Sequence, residues 1–272
     1  METNRLQRLR VSFLGVWLMT GAVAMAIDVG DPFYHVDGGK WVFNRLEVLY
    51  EKYDRDAVAK THDLRVIGPG AEVSIPRSGD DSGGRVEADV YMLRLNILLF
   101  DKFTGYLNGG VLDYSDAQDK PYILGGGVRF IAYEKNRMRL NVVGTAHYVP
   151  SFDVDDGYAV DDFLGPAVIK AKVDYYEVAA GPILSGNLLL NANARLMPYG
   201  GLLLSFVRGT EKIRIQYPFT QVTAKTTDDI EEDSPIVAVA GVSVLLKKNF
   251  SLRLEGRLIG ESSVSGAVGY AF

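Results

Sequence analysis

The chain has no cysteine. Disulfides and thiol chemistry are therefore excluded, and backbone pairing and packing must hold the protein together. Outside residues 11–23 it also lacks a long apolar run, so no later segment offers the about 20 apolar residues of a spanning helix. Histidine is scarce, with three residues in the whole chain. His35 lies in a polar stretch broken by Pro32, Gly38 and Gly39, and His62 beside Asp63 has no partners at metal-ligand spacing. No metal and no cofactor are expected. A basic excess is missing too, since the formal net charge is −5. A nucleic-acid partner, which asks for a basic face, is not expected.

What is present begins with Arg5, Arg8 and Arg10, the apolar run 11–23 and Ala24-Met25-Ala26. A basic segment, a short apolar segment and an A-x-A site describe a secretory signal peptide over residues 1–26. Its removal leaves 26 Lys and Arg (29 − 3) against 33 Asp and Glu (34 − 1), a charge of −7. Residues 27–42 read as a periplasmic lead-in, and 43–272 as one domain. With 29 Gly and 15 Tyr and few helix formers in series, that domain reads as all-β.

Period-two alternation is clearest near the end. Phe250, Leu252, Leu254, Gly256 and Leu258 alternate with Ser251, Arg253, Glu255 and Arg257. After Gly260-Glu261-Ser262 the pattern resumes in Val264, Gly266, Val268, Tyr270 and Phe272. Upstream, paired strands flank tight turns at 100–103, 134–137 and 247–249, with a longer link around Ser185-Gly186-Asn187. Long polar connections alternate with these turns at 54–84, 115–120, 149–165 and 208–234. Within 54–84, residues 64–67 and 71–75 suit a short hairpin. Short turns on one side and long loops on the other fit a closed antiparallel transmembrane β-barrel. The count is ten strands, with eight or twelve if the 54–84 and 208–234 regions lose or hide a hairpin.

The polar faces carry Arg45, Glu47 and Glu51, then Arg94, Asn96, Tyr106, Asn108 and Arg129. Arg139, Asn141, Thr145 and His147 follow, and later Arg253, Glu255 and Arg257. Both signs occur in mid-strand. A lumen charge network of Arg45, Glu47, Glu51, Arg94, Arg129, Arg139, Arg253, Glu255 and Arg257 would pair carboxylate against guanidinium and fill a narrow barrel. Two strands resist the pattern: Asp174 and Glu177 have opposite parity, which asks for a bulge or for a different register. Met197, Tyr199 and Leu203 make another strand apolar on both faces. The cluster Gly125-Gly126-Gly127 has no helix after it, so it is no phosphate loop; it suits crowding in a curved wall.

The octapeptide 265–272, SGAVGYAF, resembles the C-terminal assembly signal of bacterial outer-membrane β-barrels, with Ser265, Tyr270 and Phe272 in the matching places. The hairpin pattern is similar to the small barrels that include the OmpA membrane domain and the opacity and OmpW-like proteins. That resemblance implies outer-membrane lipid around the chain and the barrel-assembly machinery as a partner of its last strand. It implies a structural or surface-exposed role rather than an enzyme. Alternatives are a narrow passive channel, a lipid-modifying hydrolase centred on His147, and a secreted soluble β-barrel binding a small apolar ligand. Ser151, four residues from His147, is over 13 Å along the strand at ~3.3 Å per residue, too far for a local dyad.

Overall fold

The structure is a computed structural model that describes residues 42–61, 63–76, 82–100, 102–114, 120–161, 165–232, 234–247, 249–259 and 262–272. The expected signal peptide, the lead-in up to residue 41, His35 and His62 lie outside the described residues. Alternating sequence produces strands throughout. They are β1 (Val42–Thr61), β2 (Asp63–Gly68), β3 (Ala71–Pro76), β4 (Ser82–Phe100) and β5 (Phe103–Tyr114). Then come β6 (Tyr122–Lys135), β7 (Met138–Asp161), β8 (Gly165–Gly186), β9 (Leu188–Asn191) and β10 (Ala194–Tyr217). The last are β11 (Val222–Glu232), β12 (Ile236–Leu246), β13 (Phe250–Leu258) and β14 (Ser262–Ala271).

Ten of them form a ring in the order β12-β13-β14-β1-β4-β5-β6-β7-β8-β10, closed by antiparallel pairing of β10 with β12. The chain is an all-β, closed antiparallel barrel. Its first and last strands meet, Arg45 opposite Ala271 through Asp54 opposite Ser262, so this seam leaves no edge. The β6–β7 turn is two residues long, and Asn136 adopts the left-handed φ of 57° that such a turn demands.

Side chains on the outer face are apolar around the whole ring. Leu46, Val48, Leu93, Leu107, Val128, Val142, Val178, Leu204, Leu252, Leu254 and Val268 are all exposed. Tyr50, Tyr91, Tyr122, Tyr148 and Tyr176 form an upper belt, and Phe100, Phe130, Tyr133, Phe250 and Tyr270 a lower one. Tyr133 lies eleven positions after Tyr122 on β6. At about 3.3 Å per residue and about 40° of tilt this spans roughly 28 Å, close to the height of a lipid-facing band. Between the belts the outward positions of the described strands carry no charge. So large an apolar surface is untenable in water. In a bilayer it is required, and closure leaves the ring no open edge. The barrel therefore lies in an outer membrane.

Above the upper belt the polarity of the wall reverses. Lys170, Lys172, Lys212, Arg214 and Lys225 point outward and are exposed, while Ile169, Ala171, Val173, Ile213, Ile215 and Ala224 point inward and are buried. The inward residues join Tyr53, Val90, Leu112, Val149, Phe152 and Tyr175 in one apolar cluster. Polar residues buried in or beside that interior include Glu51, Glu211, Thr226, Asp228 and Ser263. The segments expected to be loops at 149–165 and 208–234 are thus mostly strand. β7 runs to Asp161, β10 to Tyr217, and β11 returns beside it. The 54–84 connection likewise continues β1 and β4 outward and adds the β2–β3 hairpin against β11. The correction has a physical cause: strands leaving lipid for water keep their period of two but exchange which face is greasy.

That exchange explains Asp174 and Glu177. β8 alternates without interruption from Ala167 to Ala179 and needs no bulge of its own. Glu177 points inward below the boundary, and Asp174 points outward above it. The irregularity sits in the neighbour, where β7 inserts a residue between Val149 and Phe152, at Pro150-Ser151. Proline is tolerated there because a bulge releases the ladder donor.

Candidate functional site in the barrel lumen

Residues facing one another across successive strands form rows around the inside of the wall. One row reads Gly269, Glu47, Arg94, Asn108, Gly125, His147, Glu177, across β14, β1, β4, β5, β6, β7 and β8. Arg94 donates from Nε to Asn108 Oδ1 at 3.3 Å. Asn108 Nδ2 lies 2.8 Å from His147 Nε2, although β6 stands between their strands. Gly125 makes this bond geometrically possible, since a Cβ there would fall on the His147 ring. In the next row Tyr106 lies over Gly127, whose added Cβ would strike its ring, and the Arg94 guanidinium lies over the Tyr106 ring, 4.2 Å from its centroid.

Glu47 is the hub. Its carboxylate meets Arg45 Nη1 at 3.2 Å, Arg253 Nη2 at 3.5 Å and Arg94 Nη1 at 3.8 Å. Arg253 reaches it across β14, where Gly269 and Ala267 keep the path low. All four charged groups are buried. A second centre repeats the device. Arg257 donates from Nε and Nη2 to Glu255 Oε1, both at 3.0 Å, and Tyr199 donates to Glu255 Oε2 at 2.7 Å. The tyrosine reaches Glu255 over Gly241, which again has no side chain to obstruct it. Such charge-assisted bonds hold buried ions that would otherwise be too costly to desolvate.

The opposite wall is apolar. Met197, Tyr199 and Leu203 face inward, and the last two pack with Val143, Ala179, Ile183, Val237 and Val239. β10 looked apolar on both faces because one face meets lipid and the other this internal cluster.

Of the residues proposed from the sequence, Arg45, Glu47, Arg94 and Arg253 come together, and Glu255 pairs with Arg257. Glu51 is buried two rows outward of Glu47, opposite Ser265, and Arg129 is buried in the lower lumen. Arg139 stands apart at the inner end, 2.7 Å from Glu134. Ser265 faces inward, whereas Tyr270 and Phe272 face outward. His147 is a buried hydrogen-bonding residue. The bulge at Pro150-Ser151 puts Ser151 on the outer face, and Ser205 donates its hydroxyl to Glu177 at 3.0 Å. Asn108, Tyr199, Glu177, Gly125 and Gly241 were not singled out as site residues. Their roles depend on which strands are neighbours but one, which the sequence does not state.

Gly125→Ala is expected to lower stability by about 1–3 kcal/mol, the cost of breaking a buried bond and stranding its partners. Gly144→Ala, whose Cβ would meet only Val128 at an ordinary 3.7 Å, is expected to cost far less. Urea midpoints in detergent micelles compare the two directly.

No family model matches the chain, and no curated protein matches it. Among solved structures it is similar to the outer membrane protease OmpT of Escherichia coli, at 11% identity and a TM-score of 0.39, covering 83% of this chain and 97% of that one. It is also similar to the translocator domain of the autotransporter NalP of Neisseria meningitidis (13% identity, TM-score 0.37, covering 99% and 96%). A third is the toluene transporter TodX of Pseudomonas putida (10% identity, TM-score 0.31, covering 84% and 89%).

Proposed function

We propose that this outer-membrane barrel is a closed, non-catalytic protein of structural or surface-exposed role, its lumen filled by its own side chains and its outward extension displayed to the medium. The observation that carries this reading is the belt from Arg253 and Glu47 through Arg94 and Asn108 to His147, which crosses β13, β1, β4, β5 and β7 by direct contacts. Outward of it the interior is a largely apolar cluster in which Glu51, Glu211 and Asp228 are buried, and the apolar part of that layer is one that ions enter only at a large desolvation cost. The nearer kinship with the OmpA-like, opacity and OmpW-like barrels, and engagement of the assembly machinery by Ser265, Tyr270 and Phe272, rest on the terminal octapeptide.

Planar-bilayer recording of the purified protein tests the reading. Silence is expected in the native protein. Steady conductance that changes on neutralising Arg253 or Glu255 would instead favour the narrow channel. The hydrolase alternative would require lipid cleavage that disappears in His147→Ala.

A further inference from the structure

The outward face of the extension carries cations in register. Arg214 stands directly opposite Lys170 on one side and Lys225 on the other, and Lys225 stands opposite Arg65. One row nearer the membrane, Lys212 stands opposite Lys172. All six side chains are exposed on one sheet face of β8, β10, β11 and β2. Like charges directly opposite each other across a strand pair are destabilising, yet four such pairs occur side by side. Lys172 also meets Asp153 of β7 at 3.0 Å, and the register partners of Arg214 and Lys225 across both neighbouring strands are cations. Among the residues whose side chains are described, the other carboxylates on this face are Asp174, Asp229 and Glu231 nearer the membrane, and Glu72 beyond, opposite Ile67.

The position of the patch says what it faces. On β8 the last residue of the aromatic belt is Tyr176, and Lys172 and Lys170 follow four and six residues further out. At about 3.3 Å per residue and about 40° of tilt, these rows sit roughly 10–15 Å beyond the belt. The same strands carry the lipid-facing Val178, Leu204 and Phe206 below it. A molecule with chains against those residues has its headgroup at or just under the cations. A solute that merely carries negative charge gains nothing from that continuity.

We propose that Arg65, Lys170, Lys172, Lys212, Arg214 and Lys225 form a docking face for the phosphorylated headgroup of an outer-leaflet glycolipid. The face rests on the membrane placement of the barrel but not on whether its lumen conducts, so silence or conductance in a bilayer leaves it untouched.

The test uses the refolded barrel in uncharged detergent, titrated with bisphosphorylated lipid A, with dephosphorylated lipid A and with soluble inositol hexakisphosphate. The thermal midpoint is read from the folded-to-unfolded shift in gel mobility. A saturable rise with the bisphosphorylated lipid alone is expected. Arg214→Gln/Lys225→Gln is expected to bind it roughly thirtyfold more weakly, from about a factor of five per cation, while its lipid-free midpoint does not fall. Arg65→Gln, on a hairpin outside the closed ring, provides a second variant and is expected to bind roughly fivefold more weakly. An equal rise with dephosphorylated lipid, or undiminished binding by Arg65→Gln or by the double variant, overturns the proposal. So does an equal rise with the soluble polyphosphate, which would make this a site for free anions.

Discussion

Glu47→Ala is expected to destabilise the barrel by about 3–5 kcal/mol, the range for removing one partner of a buried ionic cluster. The substitution takes away a carboxylate lying within 3.8 Å of three buried guanidinium groups. Arg45, Arg94 and Arg253 then confront one another in a space from which water is largely excluded. The sign of a second change is equally specific. Arg253→Gln costs stability in the native background, where it deletes a partner of Glu47. In the Glu47→Ala background it is expected to restore some stability, because it removes one of the stranded cations. Denaturant unfolding in lipid vesicles, arranged as a double-mutant cycle, reads both effects. Losses that simply add would mean that these groups do not interact.

The second large effect concerns the other face. Leu107 is 58% exposed and lies two outward positions inward of Val111, which is level with the Tyr50 and Tyr91 of the upper belt. An arginine at this depth faces hydrocarbon, and Leu107→Arg is expected to cost about 2–4 kcal/mol. Gln216→Arg, on the extension above the membrane, is expected to change stability by about 0.5 kcal/mol or less, as for ordinary surface positions. Folding yield into vesicles and urea midpoints distinguish them. Equal tolerance of both arginines would place Leu107 in water.

The same two residues illustrate how far the chain's own text could be read. Leu107 and Glu47 sit in runs that alternate cleanly, and a charge in mid-strand against an apolar outer face has one economical arrangement in lipid. That sufficed for a closed antiparallel barrel of ten strands. It failed where the surrounding medium changes. In 211–217, EKIRIQY, the alternation is as regular as in 250–258, but Lys212 and Arg214 look like loop residues when charge is assumed to point inward. Periodicity reports two faces without saying which is wet, so from the sequence alone the outward extension reads as long loops.

Contacts that skip a strand were illegible for a different reason. Nothing near Asn108 in the chain announces His147, and nothing near Tyr199 announces Glu255. The enabling residues, Gly125 and Gly241, act by what they omit. They lower the wall enough for a long side chain to pass over, and only the strand order assigns them to that task.

A scan of nitroxide labels along β13 bears most directly on the orientation of the wall. Because the chain contains no cysteine, single cysteines can be introduced one at a time from 250 to 258 in lipid vesicles. Labels at 250, 252, 254 and 258 are expected to collide freely with oxygen dissolved in the bilayer, and those at 251, 253, 255 and 257 to be shielded from it. An opposite phase, or a uniform response to a water-soluble relaxation agent along the strand, would contradict an outward apolar face and enclosed ions.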